Sequence, residues 1–349
     1  MVDTAQPPRT VLVTGASSFL GGYLVARLAA NPYVERVLAV DSRVPRKDLM
    51  QAMGRAEFLR IDVRRPTIAT AISHYEVDTV VHAATSIVDT APHSAAIRES
   101  TLLGAMAVCD ACQRSPSVKR FIVRSTGMVY GAGPRDPSHF AEETPASRQP
   151  RHGYGRDLLD VEGYARGLAR CRQDIDVTIV RLQAMLGPRA STRMSSYLAL
   201  PVVPTVIGFA PRLQFLHEED ALAAMEHVTL SGRSGTFNIS GDGVLTLAQA
   251  IHRAGRIALP VPSGLLAPIS GAFQDLWSAR LRSSQTDYLT YGRVLDTTRM
   301  RAELGFAPRY STLDTLDDFI ARGGLTPVVD AQRWRSLERR VALAAQRLA

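Results

Sequence analysis

Lysine is nearly missing from this chain: of 41 basic residues only Lys47 and Lys119 are lysines, and the others are arginines. Those arginines are scattered, with no run of five basic residues, although the formal net charge is +8. A nucleic-acid footprint concentrates its charge along one stretch or face. A compositional preference for arginine explains the excess without a nucleic-acid partner, and an anionic small-molecule substrate fits the charge equally well. Cysteine is also scarce. Cys109, Cys112 and Cys171 make an odd count and exclude a disulfide framework. "CDAC" has C-x-x-C form but lies deep inside the helical pattern "SAAIRESTLLGAMAVCDAC", whereas a redox pair needs its first thiol at a helix N-terminus. The pair is therefore expected to be two small buried residues on one helix face. No apolar run approaches about 20 residues, so no transmembrane helix is expected. The opening "MVDTAQPPRT" lacks the basic-then-apolar order of a signal peptide, so a cytoplasmic location is expected. No internal repeat is visible, and no metal site is expected.

What the chain does have is 349 residues, 46% of them hydrophobic, enough for one large unit or two joined lobes. Short β-branched runs alternate with amphipathic stretches: "TVLVTG" with "GGYLVARLAA", "RVLAVD" with "RKDLMQAMG", "AEFLRID" with "PTIATAISHY". "DTVVHAA", "RFIVRST" and "DVTIVRL" continue the series. Six such strands, several apolar throughout, predict a parallel sheet covered on both faces. Right-handed crossovers then give an α/β, Rossmann-type doubly wound sheet. After "LGPRA" the rhythm breaks into Pro-rich apolar sequence, and "FLHEEDALAAMEHV" and "TFNIS" read as a return to the sheet. The expected division is a cofactor-binding unit over 1–186 and about 213–240, with a smaller mixed substrate lobe from 187–212 and about 241–330. The last stretch, 331–349, reads as a basic amphipathic helix for docking on the chain's own body, a partner subunit or a membrane surface.

"VLVTGASSFLGG" couples the first strand to the first helix through Gly15 and Gly21. Close backbone approach to a pyrophosphate, with a helix N-terminus aimed at it, requires such a turn. Asp41 closes the next strand, placed to bind both ribose hydroxyls and to repel a 2′-phosphate; NAD is favoured over NADP, with Arg43 close by.

These features resemble the extended short-chain dehydrogenase/reductase family of NAD-dependent epimerases and dehydratases, UDP-glucose 4-epimerase-like proteins among them. Thr14, Gly15 and Gly21 match the family's T-G-x-x-G-x-x-G turn, and Ser18 stands for the middle glycine, still permitting a tight turn and adding a hydroxyl able to bond phosphate. "RIDV", "VVHAAT", "VRSTGMVYG", "RLQAMLGP", "FLHEEDALAA", "TFNIS" and "DTTRMRAELGFAP" follow in family order. The resemblance implies a cofactor set of Gly15, Ser17, Ser18, Phe19, Leu20 and Gly21 in the turn, Asp41 and Ser42 at the ribose, Asp62 and Val63 at the adenine, and Ala83, Ala84, Thr85 and Ser125 along the strand ends. It further implies a homodimer pairing two helices per subunit.

The family's substrate-polarising hydroxyl falls on Thr126, four residues before Tyr130, and its acid/base tyrosine on Tyr154. The lysine of Y-x-x-x-K is replaced by Leu158, with Glu162 in the family's usual acidic place beyond it. A free phenol titrates near ~10, and lowering it by about three units takes about 4 kcal/mol that a leucine does not supply. Arg156 lies opposite Tyr154 around a helix; Arg193, from the second lobe, is an alternative source of charge. Two further family positions depart: an expected Asn is Thr101, and another is Ala184. Three readings stay open. The first is a working NAD-dependent oxidoreductase, epimerase or dehydratase on a nucleotide-linked sugar or similar anion. The second is an NAD-binding protein without turnover that serves a partner. The third, prompted by "LLAPISGAF" and "LALPVVPTVIGFA", is a reductase of an apolar ketone.

Overall fold

The computed structural model describes residues 7–84, 95–137, 139–144, 153–262 and 283–328. Thr85, the stretch "LLAPISGAF" and the C-terminal segment 331–349 lie outside these residues.

The apolar runs form strands β1 (Thr10–Thr14), β2 (Arg36–Asp41), β3 (Glu57–Arg60), β4 (Thr79–His82), β5 (Arg120–Thr126) and β6 (Asp176–Leu182). Helices α1 (Phe19–Ala30), α2 (Lys47–Ala52), α3 (Thr67–His74), α4 (Ala95–Arg114) and α5 (Tyr154–Cys171) alternate with them. The spatial order is β3-β2-β1-β4-β5-β6, and the strand Gly235–Ile239 adds a seventh member beside β6. Every pairing in this sheet is parallel. The order reverses between β1 and β4, where an open α/β sheet leaves a crevice at its C-terminal edge. The expected Rossmann-type sheet is therefore present, and "TFNIS" returns to it.

Alternating side chains feed two apolar clusters, one on each face. Val11, Val13, Val81 and Ile122 join α1 and the helix Glu218–Ser231 on one side. Leu12, Val80, Phe121 and Val123 join α3, α4 and α5 on the other. Cys109 and Cys112 are buried in that second cluster, and burial pushes both thiols up, Cys109 to about 12. They are packing residues, not a redox pair.

A third cluster gathers Leu186, Tyr197, Val203, Leu213, Phe215 and Leu316, late segments lying outside the main sheet. It uses short strand pairings such as Gly292–Arg293 on Arg212–Leu213. The chain returns from it to the segment that follows β5, since Phe140 N–H donates to Val294 O (2.8 Å) and Asp296 N–H to Phe140 O (2.9 Å). Among the described residues no helix is long and apolar enough to cross a membrane.

Candidate active site

The turn between β1 and α1 is built on close approach. Gly15 has φ +76°, and a Cβ on it would lie 2.7 Å from the backbone N of Ala84. A Cβ on Gly21 would lie 2.2 Å from the Gly15 carbonyl oxygen. Only glycine fits either place. Ser18 caps α1: its Oγ accepts from Gly21 N–H (3.1 Å) and donates to Gly15 O (2.7 Å). The hydroxyl thus closes the turn that a glycine would merely permit, and its one proton is spent on doing so.

Among the described residues the backbone N–H groups of Phe19 and Leu20, the first two of α1, have no acceptor. Two free donors at the start of a twelve-residue helix suit a diphosphate. Asp41 stands beside them at the end of β2, its Oδ2 accepting from Ser17 N–H (3.0 Å) and Ser17 Oγ–H (2.7 Å) and its Oδ1 from Arg43 N–H (3.0 Å). Ser42 follows, exposed, with its carbonyl accepting from Arg60 Nε (3.3 Å). Asp62 is gripped by Arg64, which holds its carboxyl below the usual carboxylate range. Val63 fills the space over Gly104 of α4, where a Cβ would lie 3.0 Å from it. Ala83 is buried and Ala84 half-buried at the exit of β4. The residues present fit a dinucleotide: donors for its diphosphate, a carboxylate for its ribose, and a small-residue wall between.

Two features here escaped the sequence reading. Thr14 Oγ1 accepts from Ala84 N–H (3.3 Å) and shares a hydrogen bond with Nδ1 of His82 at 2.9 Å. The imidazole is fully buried, with no partner for Nε2 among the described residues. Burial pushes His82 down to about 4. The second is a clasp on α1. Glu218, buried at the start of its helix, accepts from Arg189 N–H (3.0 Å), Ala190 N–H (2.7 Å) and Arg189 Nε (2.9 Å). The Arg189 guanidinium then lies over the rings of Tyr23 (4.8 Å) and Phe19 (5.6 Å).

On the substrate side, Thr126 ends β5 half-exposed and caps a short 3-10 helix, Gly127–Tyr130, through a long 3.5 Å contact from Met128 N–H. Its hydroxyl is only weakly engaged. Ser125 points the other way. Its Oγ–H donates to Glu162 Oε1 (2.6 Å), so this hydroxyl belongs to the packing behind the strand. Glu162 also takes the Nε–Nη2 edge of Arg181, at 2.9 and 2.7 Å, and Arg166 at 2.8 Å. Burial alone would raise Glu162; the two guanidiniums and Ser125 outweigh it, and the carboxyl sits below its ordinary value. Arg181 continues to the Tyr130 hydroxyl (2.7 Å), which donates to Asn238 Oδ1 (2.8 Å).

Tyr154 opens α5, entered through Gly153 at φ +83°, and α5 packs on the 3-10 helix and β5. Leu158, one turn on, is completely buried in the apolar cluster with Val123, Val129 and Tyr130. The lysine position is thus a core position here. Arg156 pairs with Asp160 (2.9 Å) on the outer side of the helix. Arg193 begins the helix Arg193–Ala199 behind the Thr192–Ser195 capping box. The hydroxyl of Thr101 is turned back to Ile97 O (2.9 Å), and Ala184 packs against the third cluster.

Comparison with known proteins bears on the family and the fold. A family model described as the NAD dependent epimerase/dehydratase family matches residues 11–240. An uncharacterized protein of Mycobacterium tuberculosis (strain ATCC 25618 / H37Rv) is 50% identical over 343 residues, 98% of this chain and 91% of that one. A UDP-glucose 4-epimerase of Thermotoga maritima, solved with UDP-glucose, shares the fold at TM-score 0.68 and 20% identity, over 90% of this chain and 98% of that one. A dTDP-glucose 4,6-dehydratase of Streptomyces venezuelae, solved with NAD and TYD bound, does so at TM-score 0.68 and 23% identity, over 91% and 99%.

Proposed function

The chain belongs to the NAD-dependent epimerase/dehydratase family, and from that premise we propose that it is an NAD-dependent oxidoreductase of epimerase or dehydratase type acting on a nucleotide-linked sugar or a similar anion. The observation that carries the proposal is the pair of unclaimed amides, Phe19 and Leu20, facing the crevice one strand away from the Asp41 carboxylate. The same carboxylate favours NAD, because a 2′-phosphate beside it brings like charges together.

When bound, NAD accepts and returns hydride. Gly15, Ser17, Ser18 and Gly21 shape the turn, and Phe19 and Leu20 hold the diphosphate. Thr126 holds the substrate oxygen through its weakly engaged hydroxyl. Tyr154 moves the proton at its phenolic oxygen, without the neighbouring ammonium that makes a phenol a ready base. A cytoplasmic homodimer belongs to the proposal; α4 shows Leu103 and Met106 to solvent.

Leu158 favours a second reading, an NAD-holding protein without turnover, because a buried leucine stands where the family's lysine would supply a charge beside the phenol. Calorimetry with NAD and NADP followed by turnover assays over nucleotide sugars separates the two. The expected result is NAD heat well above NADP heat, with Tyr154→Phe reducing turnover on the order of 10²- to 10⁴-fold while leaving NAD affinity intact. Heat without turnover on any sugar selects the second reading. No heat with either nucleotide removes both.

A further inference from the structure

Two guanidiniums are buried near the ends of β5 and β6, and they differ in how they are satisfied. Arg181 spends its donors on Glu162, Tyr130 and the Glu142 carbonyl. Arg293 is buried as deeply, 5% exposed for each. Among the described residues, however, its single hydrogen bond runs from Nε to Gly131 O (2.8 Å), and it makes no ion pair. Its flat face lies over the ring of Tyr288 (5.0 Å), whose hydroxyl has no partner among the described residues either. Asp136 acts on Arg293 only through space.

Its position is fixed on both sides. The Arg293 carbonyl accepts from Gln183 Nε2 (3.1 Å), next to Ala184. Leu295, two residues on, lies 3.3 Å from where a Cβ on Gly127 would stand, directly after Thr126. The guanidinium therefore sits over Gly131, five residues past Thr126, and is carried by the short strand Gly292–Arg293 that pairs with Arg212–Leu213.

We propose that Arg293, backed by the Tyr288 ring, is an oxyanion-reading residue that takes a carboxylate or phosphate of the substrate on its unused Nη edge. Burying a guanidinium without a counter-charge in contact is costly, and buried charges are normally paired or held for a ligand. With Nε tied to Gly131 O, the two Nη groups remain as a planar fork matched to two oxygens of one anion. Burial lowers the group only to about 10, so it stays charged at neutral pH. This inference rests on the reading above that a small anionic substrate enters the crevice beside Thr126.

The test is calorimetric titration of the full chain, with and without NAD, using UDP, UDP-glucose and UDP-glucuronate, against Arg293→Gln and Arg293→Lys. The Gln variant is expected to lose affinity by about 10- to 100-fold. A loss confined to UDP-glucuronate identifies a carboxylate; an equal loss on all three identifies a phosphate. Arg293→Lys, which keeps the charge but not the fork, should recover only part of the loss. Arg256→Gln is the control: this other buried guanidinium bonds the Thr326 carbonyl (3.1 Å), and ligand affinity should stay within about two-fold. Unchanged affinity for all three ligands in Arg293→Gln overturns the inference, as does a wild-type chain that binds NAD but none of the three. Failure to bind NAD, with the three anions still bound through Arg293, overturns the cofactor reading and leaves this one standing. If the Gln variant unfolds, the Lys variant and competition of wild-type UDP-glucuronate binding by inorganic phosphate carry the decision: no competition and no loss in Lys overturn it.

Discussion

At the scale of single residues, the buried His82 makes the sharpest statement. Its imidazole is pressed down to about 4, against about 6.5 in an unfolded chain. A depressed histidine contributes stability that is complete above the unfolded value and drains away as pH falls toward the folded one. Between pH 6.5 and 4 the fold should lose about 1.4 kcal/mol per pH unit from this group, about 3 kcal/mol in all. Urea midpoints across that range, compared with those of His82→Asn, check it: the variant should show a shallower decline. The sequence displays this histidine in "VVHAAT", amid an apolar strand. Its bond to Thr14, 68 positions earlier, comes from the register of β1 on β4 and has no local signature. Gly15, Gly21 and Asp41 were legible because a strand–turn–helix junction and the next strand's end are read along the chain. Arg293 was not, since its meaning comes from what it fails to touch.

At the scale of an element, α5 reconciles two messages that conflict in sequence. Tyr154, Leu158 and Glu162 are spaced along one helical face, so the resemblance to Y-x-x-x-K and the loss of its lysine are both plain from the residues. What the sequence withheld is where that face goes. Leu158 enters the core and Glu162 meets Arg181 on β6, a strand reached only after the helix has ended. Leu158→Lys is therefore expected to destabilise the fold by about 2–4 kcal/mol, because an ammonium replaces a fully buried alkyl group. Thermal unfolding measures the cost. If the lysine reached the crevice instead, stability would hold and the pH limb of Tyr154 would move to lower pH.

At the scale of the whole molecule, the parallel sheet was readable because strands buried on both faces must be apolar throughout, and the chain announces six of them. The later segments gave no such rhythm. Their strands are two to five residues long and hold through distant pairings such as Gly292–Arg293 on Arg212–Leu213, which composition does not record. Between these regions lies Arg189, resting on Phe19 and Tyr23 and anchored through Glu218. Any occupant that stiffens the first turn of α1 stiffens that arginine's seat as well. Deuterium uptake at the amides of Arg189 and Ala190 should slow when NAD is added, and Arg189→Ala should erase the slowing. The molecule would then report a filled nucleotide crevice at Arg189, by a loss of local breathing with no change of shape.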